Sequence, residues 1–418
     1  MWSTSDPVSR LGLAVAVILI VAKLAADVAA RFRQPAVLGE LIAGLLLGAL
    51  PLPFLRELRT DPGVDILARL GVLVLLFQVG LESTVRDVLQ VGLVSARVAF
   101  AGVLGTLACG CLASRLAMPG ASPLVQLFVA AALTATSVGI SARVLKDMGA
   151  SRTPEARTIL GAAILDDILG LVVLALVSSA VVRVGTQEVD LGHLAWIVLK
   201  TVAFLAIALV AGVKLSPRIF RATARLRTDG ALLAAGLSFC FVLAWASDVM
   251  GLAPIVGAFA AGLILEDSHS SHFVQRGEGP LRERMEPIAS WLVPIFFVLV
   301  GVRADLHALI EGTTLRLVIV LTLAAIAGKL ACATAVPKGA DRLTIAAGMI
   351  PRGEVSLVFA NLGASLRVGG KPLLDPHQYS ALIAVVVLTA LATPPALRWR
   401  LGRSARVGVA HEADLGAG

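Results

Sequence analysis

The sequence predicts an all-α polytopic membrane protein with thirteen transmembrane helices, and three observations lead there. Its 418 residues are 57% hydrophobic and only 15% charged, with a mean hydropathy of +0.89; a soluble chain of this length needs far more polar surface. Apolar spans stand at 9–30, 36–51, 65–82, 90–113, 123–146, 156–182, 193–213, 229–248, 252–266, 288–304, 316–337, 341–366 and 377–398, each to be weighed against the roughly 20 residues that cross a bilayer core. Segments of the second and third spans also recur seven spans later, as an internal repeat.

Taken in order, the first run, Leu11 to Ala22, is followed by Lys23, Asp27 and more apolar residues without a small-x-small cleavage site. It is expected to remain as a span rather than be cleaved as a signal peptide. Span two holds Pro35-Ala-Val-Leu-Gly39-Glu-Leu-Ile-Ala43-Gly44-Leu45, which returns in span nine as Pro254-Ile-Val-Gly257-Ala-Phe-Ala-Ala261-Gly262-Leu263, one residue shorter. Leu76-Phe77-Gln-Val-Gly80-Leu81 in span three returns in span ten as Phe297-Val-Leu-Val-Gly301-Val302. Seven is an odd offset, so the two halves (about 9–182 and 229–398, linked by a helix at 193–213) are expected to be inverted relative to each other. Inverted repeats are typical of secondary transporters that expose a midplane site to alternate sides.

Alternate connections differ in Lys and Arg. One set carries, among others, Arg143, Lys146, Arg152, Lys214, Arg218, Arg282, Arg284, Lys338 and Arg403, and the other is poorer. The amino terminus is therefore expected outside, and the carboxyl terminus, with a short irregular polar tail at 401–418, in the cytoplasm of a cell (inner) membrane. The net charge of +8 fits this topology better than nucleic-acid binding, since no basic face is interleaved with aromatics.

Span six contains the stretch Gly161 to Leu171, GAAILDDILGL, with two adjacent acids in an apolar segment. At ~1.5 Å per residue, Asp166 lies about 15 Å in from Ala156, near the midplane. A carboxylate there is costly unless it is paired, hydrated or protonated. Ala162, Asp166 and Gly170 share one face, small–acid–small, against which a neighbouring backbone can come close. Spans five and twelve, again seven apart, are both interrupted, by Thr134-Ala-Thr136-Ser137-Val-Gly139 and by Ile350-Pro351-Arg352-Gly353-Glu354. Proline removes a backbone donor, and unwound backbone in corresponding segments frees carbonyls for a cation. Span eleven supplies Lys329, about 14 Å along its helix from Lys338 and too deep to reach water easily. Counted from the cytoplasmic edge, Asp166, Lys329 and Thr136 fall on one level about 15 Å deep, with Arg352 and Glu354 slightly deeper.

Two carboxylates beside one ammonium carry a net charge of about −1 when ionised, which a small cation or protons can neutralise, and the acids titrate as a coupled unit. A group that binds either cation or protons, but not both, couples two opposing fluxes. Enzymatic chemistry is not expected. An intramembrane aspartyl protease needs its acids on separate helices with a G-x-G-D motif, and a sodium-coupled organic-anion symporter has no evident use for Lys329. Cysteines and histidines lack metal-ligand spacing, so no cofactor is expected beyond the transported ions.

At these residues the sequence closely resembles the monovalent cation:proton antiporters of the NapA-like type, in the second cation/proton antiporter family. The resemblance is carried by QPAVLGELIAGLLLG at 34–48, LLFQVGLE at 75–82, TATSVGISARVL at 134–145, ILGAAILDDILGL at 159–171, APIVGAFAAGLIL at 253–265, PIFFVLVGV at 294–302 and GMIPRGEVSLV at 348–358. It implies a NapA/NhaA-like fold with two crossed discontinuous helices. Core and dimerisation subdomains would be interleaved along residues 1–400, in a homodimer embedded in the bilayer. It implies secondary-active exchange of Na+ or Li+ for H+, with K+ for H+ as the alternative, because spacing does not select the ion. Asp167 is then the cation- and proton-binding carboxylate, with Asp166 and Thr136 nearby. Asp166 is the partner of Lys329 in an ion pair that breaks as sodium binds. Thr136 and Ser137 match the unwound crossing helix near the ion, and Arg352 and Glu354 match the opposite one, as a structural ion pair. An aspartate pair with a membrane lysine further implies the electrogenic branch.

Overall fold

The computed structural model describes residues 6–32, 34–51, 53–82, 92–151, 153–184, 230–265, 281–337 and 339–415, with isolated positions between 196 and 218. In chain order its elements are α1 (Pro7–Arg31), α2 (Ala36–Ala49), α3 (Pro53–Thr60), α4 (Pro62–Glu82), α5 (Leu93–Ala117), α6 (Pro123–Ala132), α7 (Val138–Asp147), α8 (Pro154–Val184) and α9 (Ala231–Val249). They continue as α10 (Pro254–Ile264), α11 (Leu281–Arg303), α12 (Leu306–Ile310), α13 (Gly312–Leu330), α14 (Cys332–Ala335), α15 (Arg342–Gly348), α16 (Glu354–Ser365), a two-stranded hairpin of β1 (Arg367–Val368) and β2 (Lys371–Pro372), and α17 (Pro376–Leu415).

Among the described residues, eight of these helices (α1, α4, α5, α8, α9, α11, α13 and α17) are long and apolar enough to cross a membrane. The other five expected spans explain the difference from thirteen. Span two is α2, which meets α3 at a 120° bend. Spans five and twelve are each a pair of short helices, α6–α7 and α15–α16. Span nine is α10, only 11 residues long, and 193–213 falls largely outside the described residues. Apolar composition marks a segment for the membrane; it does not say whether the segment runs through unbroken.

The chain divides into two compact units, each assembled from separated segments. The first comprises Met1–Leu89, Val172–Leu306 and Leu366–Lys371. Within it the sequence echo becomes a contact echo. A Cβ on Gly44 (α2) would run into the carbonyl of Val298 (α11), and one on Gly301 (α11) into the carbonyl of Leu41 (α2). The corresponding residues repeat this: Gly262 (α10) faces the carbonyl of Phe77 (α4), and Gly80 (α4) that of Phe259 (α10). Gly39 meets the Ala25 carbonyl on α1 as Gly257 meets the Leu243 carbonyl on α9. Small residues let helix backbones approach where lipid supplies no hydrophobic drive for association. Asp65 at the start of α4 pins the unit's end, accepting from Arg303 and Arg69 at 2.7 Å each.

The second unit comprises Gln90–Leu171, His307–Ser365 and Pro372–Gly418. Its apolar centre gathers Val98 and Ala99 of α5, Ile159, Ala162 and Ala163 of α8, Ile345 and Ala347 of α15, and Leu397 of α17. Helix α6 is capped by Ser122, which accepts from Val125 N at 3.3 Å, and α15 by Asp341, which accepts from Thr344 N at 3.1 Å. The tail departs from expectation. Instead of turning irregular after Arg400, α17 continues to Leu415, because residues 401–415 are mostly Leu, Ala, Arg, Val and Glu, with no proline after Pro395 to stop the helix.

The paired glycines are the part of this packing most open to test. Gly262→Val, which forces a branched side chain into the Phe77 backbone, is expected to lower Tm in detergent by the equivalent of about 1–3 kcal/mol. Gly12→Ala, whose added Cβ has nothing within 4 Å, is expected to leave Tm unchanged or slightly raised. Equal Tm values for the two variants would remove backbone contact as the reason for the glycine pattern.

Candidate ion site

The site lies wholly within the second unit and begins with two backbone interruptions. Helix α6 ends at Ala132, and the chain is non-helical from Thr134 until Ser137, where extended backbone (φ −80°, ψ 107°) leads into α7. Helix α15 ends at Gly348, and Ile350 to Gly353 are non-helical before α16 begins at Glu354. Pro351 cannot donate and disfavours helix at Ile350. Each interruption frees amides and carbonyls that an apolar medium will not satisfy.

They satisfy each other. Ser137 N donates to Pro351 O at 2.8 Å. The Thr136 hydroxyl donates to Met349 O at 3.1 Å, and the Ser141 hydroxyl to Gly348 O at 2.5 Å. In return Arg352, fully buried, sends its guanidinium to Ala135 O at 3.1 Å and Thr134 O at 3.4 Å in the first break, and to Ala325 O of α13 at 2.9 Å. Its backbone N–H donates to the Thr389 hydroxyl of α17 at 3.3 Å. Three carbonyls, not the Glu354 carboxylate, take the guanidinium's hydrogen bonds. The guanidinium, expected to serve a structural ion pair with Glu354, instead makes a backbone crosslink through these three carbonyls.

Beside these two breaks sit the acids. Asp166 and Asp167 are 0% and 3% exposed. Lys329, also 0% exposed, donates from Nζ to Asp166 Oδ1 at 2.6 Å. Asp166 Oδ2 and Asp167 Oδ1 are buried without hydrogen-bond partners, although most buried polar groups in proteins have one. The charges whose fields reach Asp167 are Glu354, Asp166 and Lys329; those reaching Lys329 include Asp166 and Arg352. The face read from sequence as small–acid–small is packed: Ala162 is buried, and a Cβ on Gly170 would stand 3.3 Å from the Ala135 side chain at the first break.

Glycines keep the lysine close. A Cβ on Gly102 (α5) would lie 3.3 Å from Lys329 Nζ. Gly328 faces the backbone of Thr106, also on α5, and would collide with it if it carried a side chain. All seven sequence-nominated residues, Thr136, Ser137, Asp166, Asp167, Lys329, Arg352 and Glu354, thus belong to one neighbourhood. Thr389, Ala325, Ser141 and Gly102 were not nominated. Thr389 and Ser141 carry a legible signal, a hydroxyl within an apolar span. A carbonyl such as that of Ala325 leaves no trace in sequence.

Chemically, three carboxylates and two cations meet here, with unpaired carboxylate oxygens and irregular backbone. The arrangement can hold a small cation or release one.

Residues 16–401 match the family model described as sodium/hydrogen exchanger, transmembrane. The chain is 34% identical to the high-affinity Na+/H+ antiporter NhaS3 of a Synechocystis strain, over 92% of its own length and 88% of that protein. It is 35% identical to the Na+/H+-K+ antiporter GerN of Bacillus cereus, over 93% of its own length and 95% of that protein. In fold it is similar to the sodium proton antiporter MjNhaP1 from Methanocaldococcus jannaschii, with a TM-score of 0.69, 16% sequence identity, and coverage of 94% of this chain and 98% of that one. With most of its length matched, and with paired acids, a buried lysine and mutually bonded helix breaks at its centre, the chain belongs to the transmembrane sodium/hydrogen exchanger family.

Proposed function

We propose that this chain is a secondary-active antiporter that exchanges Na+ for H+ across a cell membrane, with Asp167 as the carboxylate that carries either ion. The observation that supports this most is the buried, unpartnered Asp167 Oδ1 beside an Asp166–Lys329 ion pair. In the cation-loaded state, Na+ as cargo would take Asp167 Oδ1, Asp166 Oδ2 and the Thr136 hydroxyl oxygen, whose own proton is already committed to Met349 O. As Na+ arrives, Asp166 loosens from Lys329. As Na+ leaves, Asp167 takes a proton and Lys329 returns to Asp166. Because the site takes either cation or protons, movement between its two exposures is coupled to exchange. Lys329 gives up its own proton when freed from Asp166 and regains it on returning, so two protons exchange for each sodium and the cycle responds to voltage. Ser137 and Arg352 hold the crossing in shape, and Glu354 adds to the negative field at Asp167.

The finer architecture belongs to the same reading. It comprises thirteen spans in two inverted repeats, crossed interrupted helices, the amino terminus outside and carboxyl terminus in the cytoplasm, and a homodimer. Placement in the second cation/proton antiporter family, on its electrogenic branch, goes with it. The matched glycine contacts of α2–α11 and α10–α4 support the repeat. The similarity to the Na+/H+-K+ antiporter GerN favours K+ as a second cargo, with Li+ as a sodium-like one.

In everted vesicles, adding Na+ is expected to dissipate an imposed proton gradient, and Asp167→Asn to abolish that response; retained exchange in the variant would refute Asp167 as the carrier. Replacing Na+ by K+ or Li+ in the same assay ranks the cargoes.

Lys329→Gln strands Asp166 without its cation, and breaking a buried pair from one side costs about 3–5 kcal/mol. The variant is expected to melt lower, and its exchange in proteoliposomes to lose its response to imposed voltage. An unchanged voltage response would take Lys329 out of the coupling.

Cysteines introduced singly at Ser5 and Ser404 in a cysteine-free background are expected to label from outside and inside, respectively. Labelling from the same side would overturn the odd span count.

A further inference from the structure

The first unit holds a buried acid for which the exchange reaction has no use. Glu40, in the middle of α2, is 5% exposed, and among the described residues no hydrogen bond or ion pair reaches its carboxyl group. The internal repeat shows that the position does not require an acid for packing. Aligned through Gly39–Gly257 and Gly44–Gly262, Glu40 corresponds to Ala258, which is itself fully buried.

The neighbour across from Glu40 differs between the copies as well. Gly44 faces Val298 and Gly48 faces Val302, so α2 and α11 run in the same direction. One turn earlier, Glu40 is therefore level with Pro294, which lies inside α11. Proline has no N–H, so the Ser290 carbonyl receives no helical hydrogen bond from that position. In the other copy, where Phe77 stands for Val298, the residue level with Ala258 is Leu73, which keeps its amide. Acid and proline occur together in one copy and are both missing from the other. A protonated carboxylic acid donates a hydrogen bond, and an ionised one cannot.

Few charges share this region. On α1, Lys23 is exposed and its field reaches Glu40, while Asp27 is taken by Arg31 at 2.8 Å. Helix α11 carries no charged residue between Glu286, which accepts from Gln78 at 3.4 Å, and Arg303, which pairs with Asp65. The Arg56, Glu57 and Arg59 of α3 follow the far end of α2, and Arg59 donates to the Gly48 carbonyl.

We propose that Glu40 is a proton-binding site distinct from Asp166 and Asp167, whose acid form donates into α11 at the level of Pro294 and whose ionised form faces Lys23, and that it sets the pH range of transport. The ligand is the proton itself, taken up and given back at one carboxyl group between α1, α2 and α11. The pH-setting role rests on the antiport reading; the proton site does not.

The test joins an exchange-independent readout to a transport one, on the purified full-length protein. In pH-difference infrared spectra, the wild type is expected to show a protonated-carboxyl C=O band that Glu40→Gln lacks and Asp167→Asn retains. In proteoliposomes, Glu40→Gln, which keeps a donor, and Glu40→Ala, which has none, are expected to displace the pH profile of Na+/H+ exchange, with Glu40→Gln holding its low-pH behaviour to higher pH. Survival of every wild-type carboxyl band in Glu40→Gln overturns the proton site. Superimposable pH profiles overturn the pH-setting role. A wild type that transports nothing refutes the antiport reading, while the infrared comparison still decides the site.

Discussion

Everything at the centre of the second unit depends on one constraint: a chain that unwinds in an apolar slab must find hydrogen bonds within the protein. Two segments of this chain unwind, and each supplies what the other lacks. Donors from Thr136, Ser137 and Ser141 go to the carbonyls of Met349, Pro351 and Gly348, and the guanidinium of Arg352 goes back to Thr134 and Ala135. Neither break is tolerable alone. The same constraint explains a fully buried arginine, since a planar group with five donors is suited to several carbonyls that no helix will use. By also reaching Ala325, Arg352 ties the paired breaks to α13, the helix that carries Lys329.

Charge follows from this geometry. Around the paired breaks, three carboxylates outnumber two cations, and the glycines Gly102, Gly105 and Gly328 let the lysine's helix lie close against α5. A pair as close as Asp166 and Lys329 is costly to bury and costly to break from one side. It therefore makes a poor stabiliser, and the acid keeps a second oxygen, Asp166 Oδ2, buried without a partner.

Much of this was legible in the sequence. Acids in an apolar run have few harmless explanations, so Asp166 and Asp167 stood out, and counting helix rises brought Lys329 and both interruptions to their depth. Gly44, Gly80, Gly262 and Gly301 announced a repeat because close backbone approach permits only the smallest side chains. What escaped was whatever depends on atoms that every residue has. The carbonyls holding Arg352 are invisible in a string of side chains, and the nearest acid in sequence, Glu354, looked like its natural partner. The number of unbroken spans escaped for a related reason. Apolar composition records burial, whereas a break is decided by a few residues such as Pro351 and by the partner that can satisfy it. The helical extension of α17 past Arg400 escaped because a polar stretch looks irregular even where helix propensity favours order.

The repeat makes a last point about where function resides. Its two copies share backbone contacts almost residue for residue in the first unit, yet they do not share charges. Glu40 faces Ala258 in the alignment, and Pro294 faces Leu73. Helix α8 carries two acids, whereas α17, its counterpart in the expected repeat, offers Thr389 and Thr393 and has no acid from Pro376 to Arg400. Packing can be built twice because glycine against a carbonyl works equally well in either copy. A buried charge cannot be duplicated so cheaply, since each copy would need its own partner in a medium that provides none. Asymmetry laid over a symmetric frame is therefore what ion chemistry in a membrane repeat should look like, and the positions where the two copies disagree in charge are where function is to be sought.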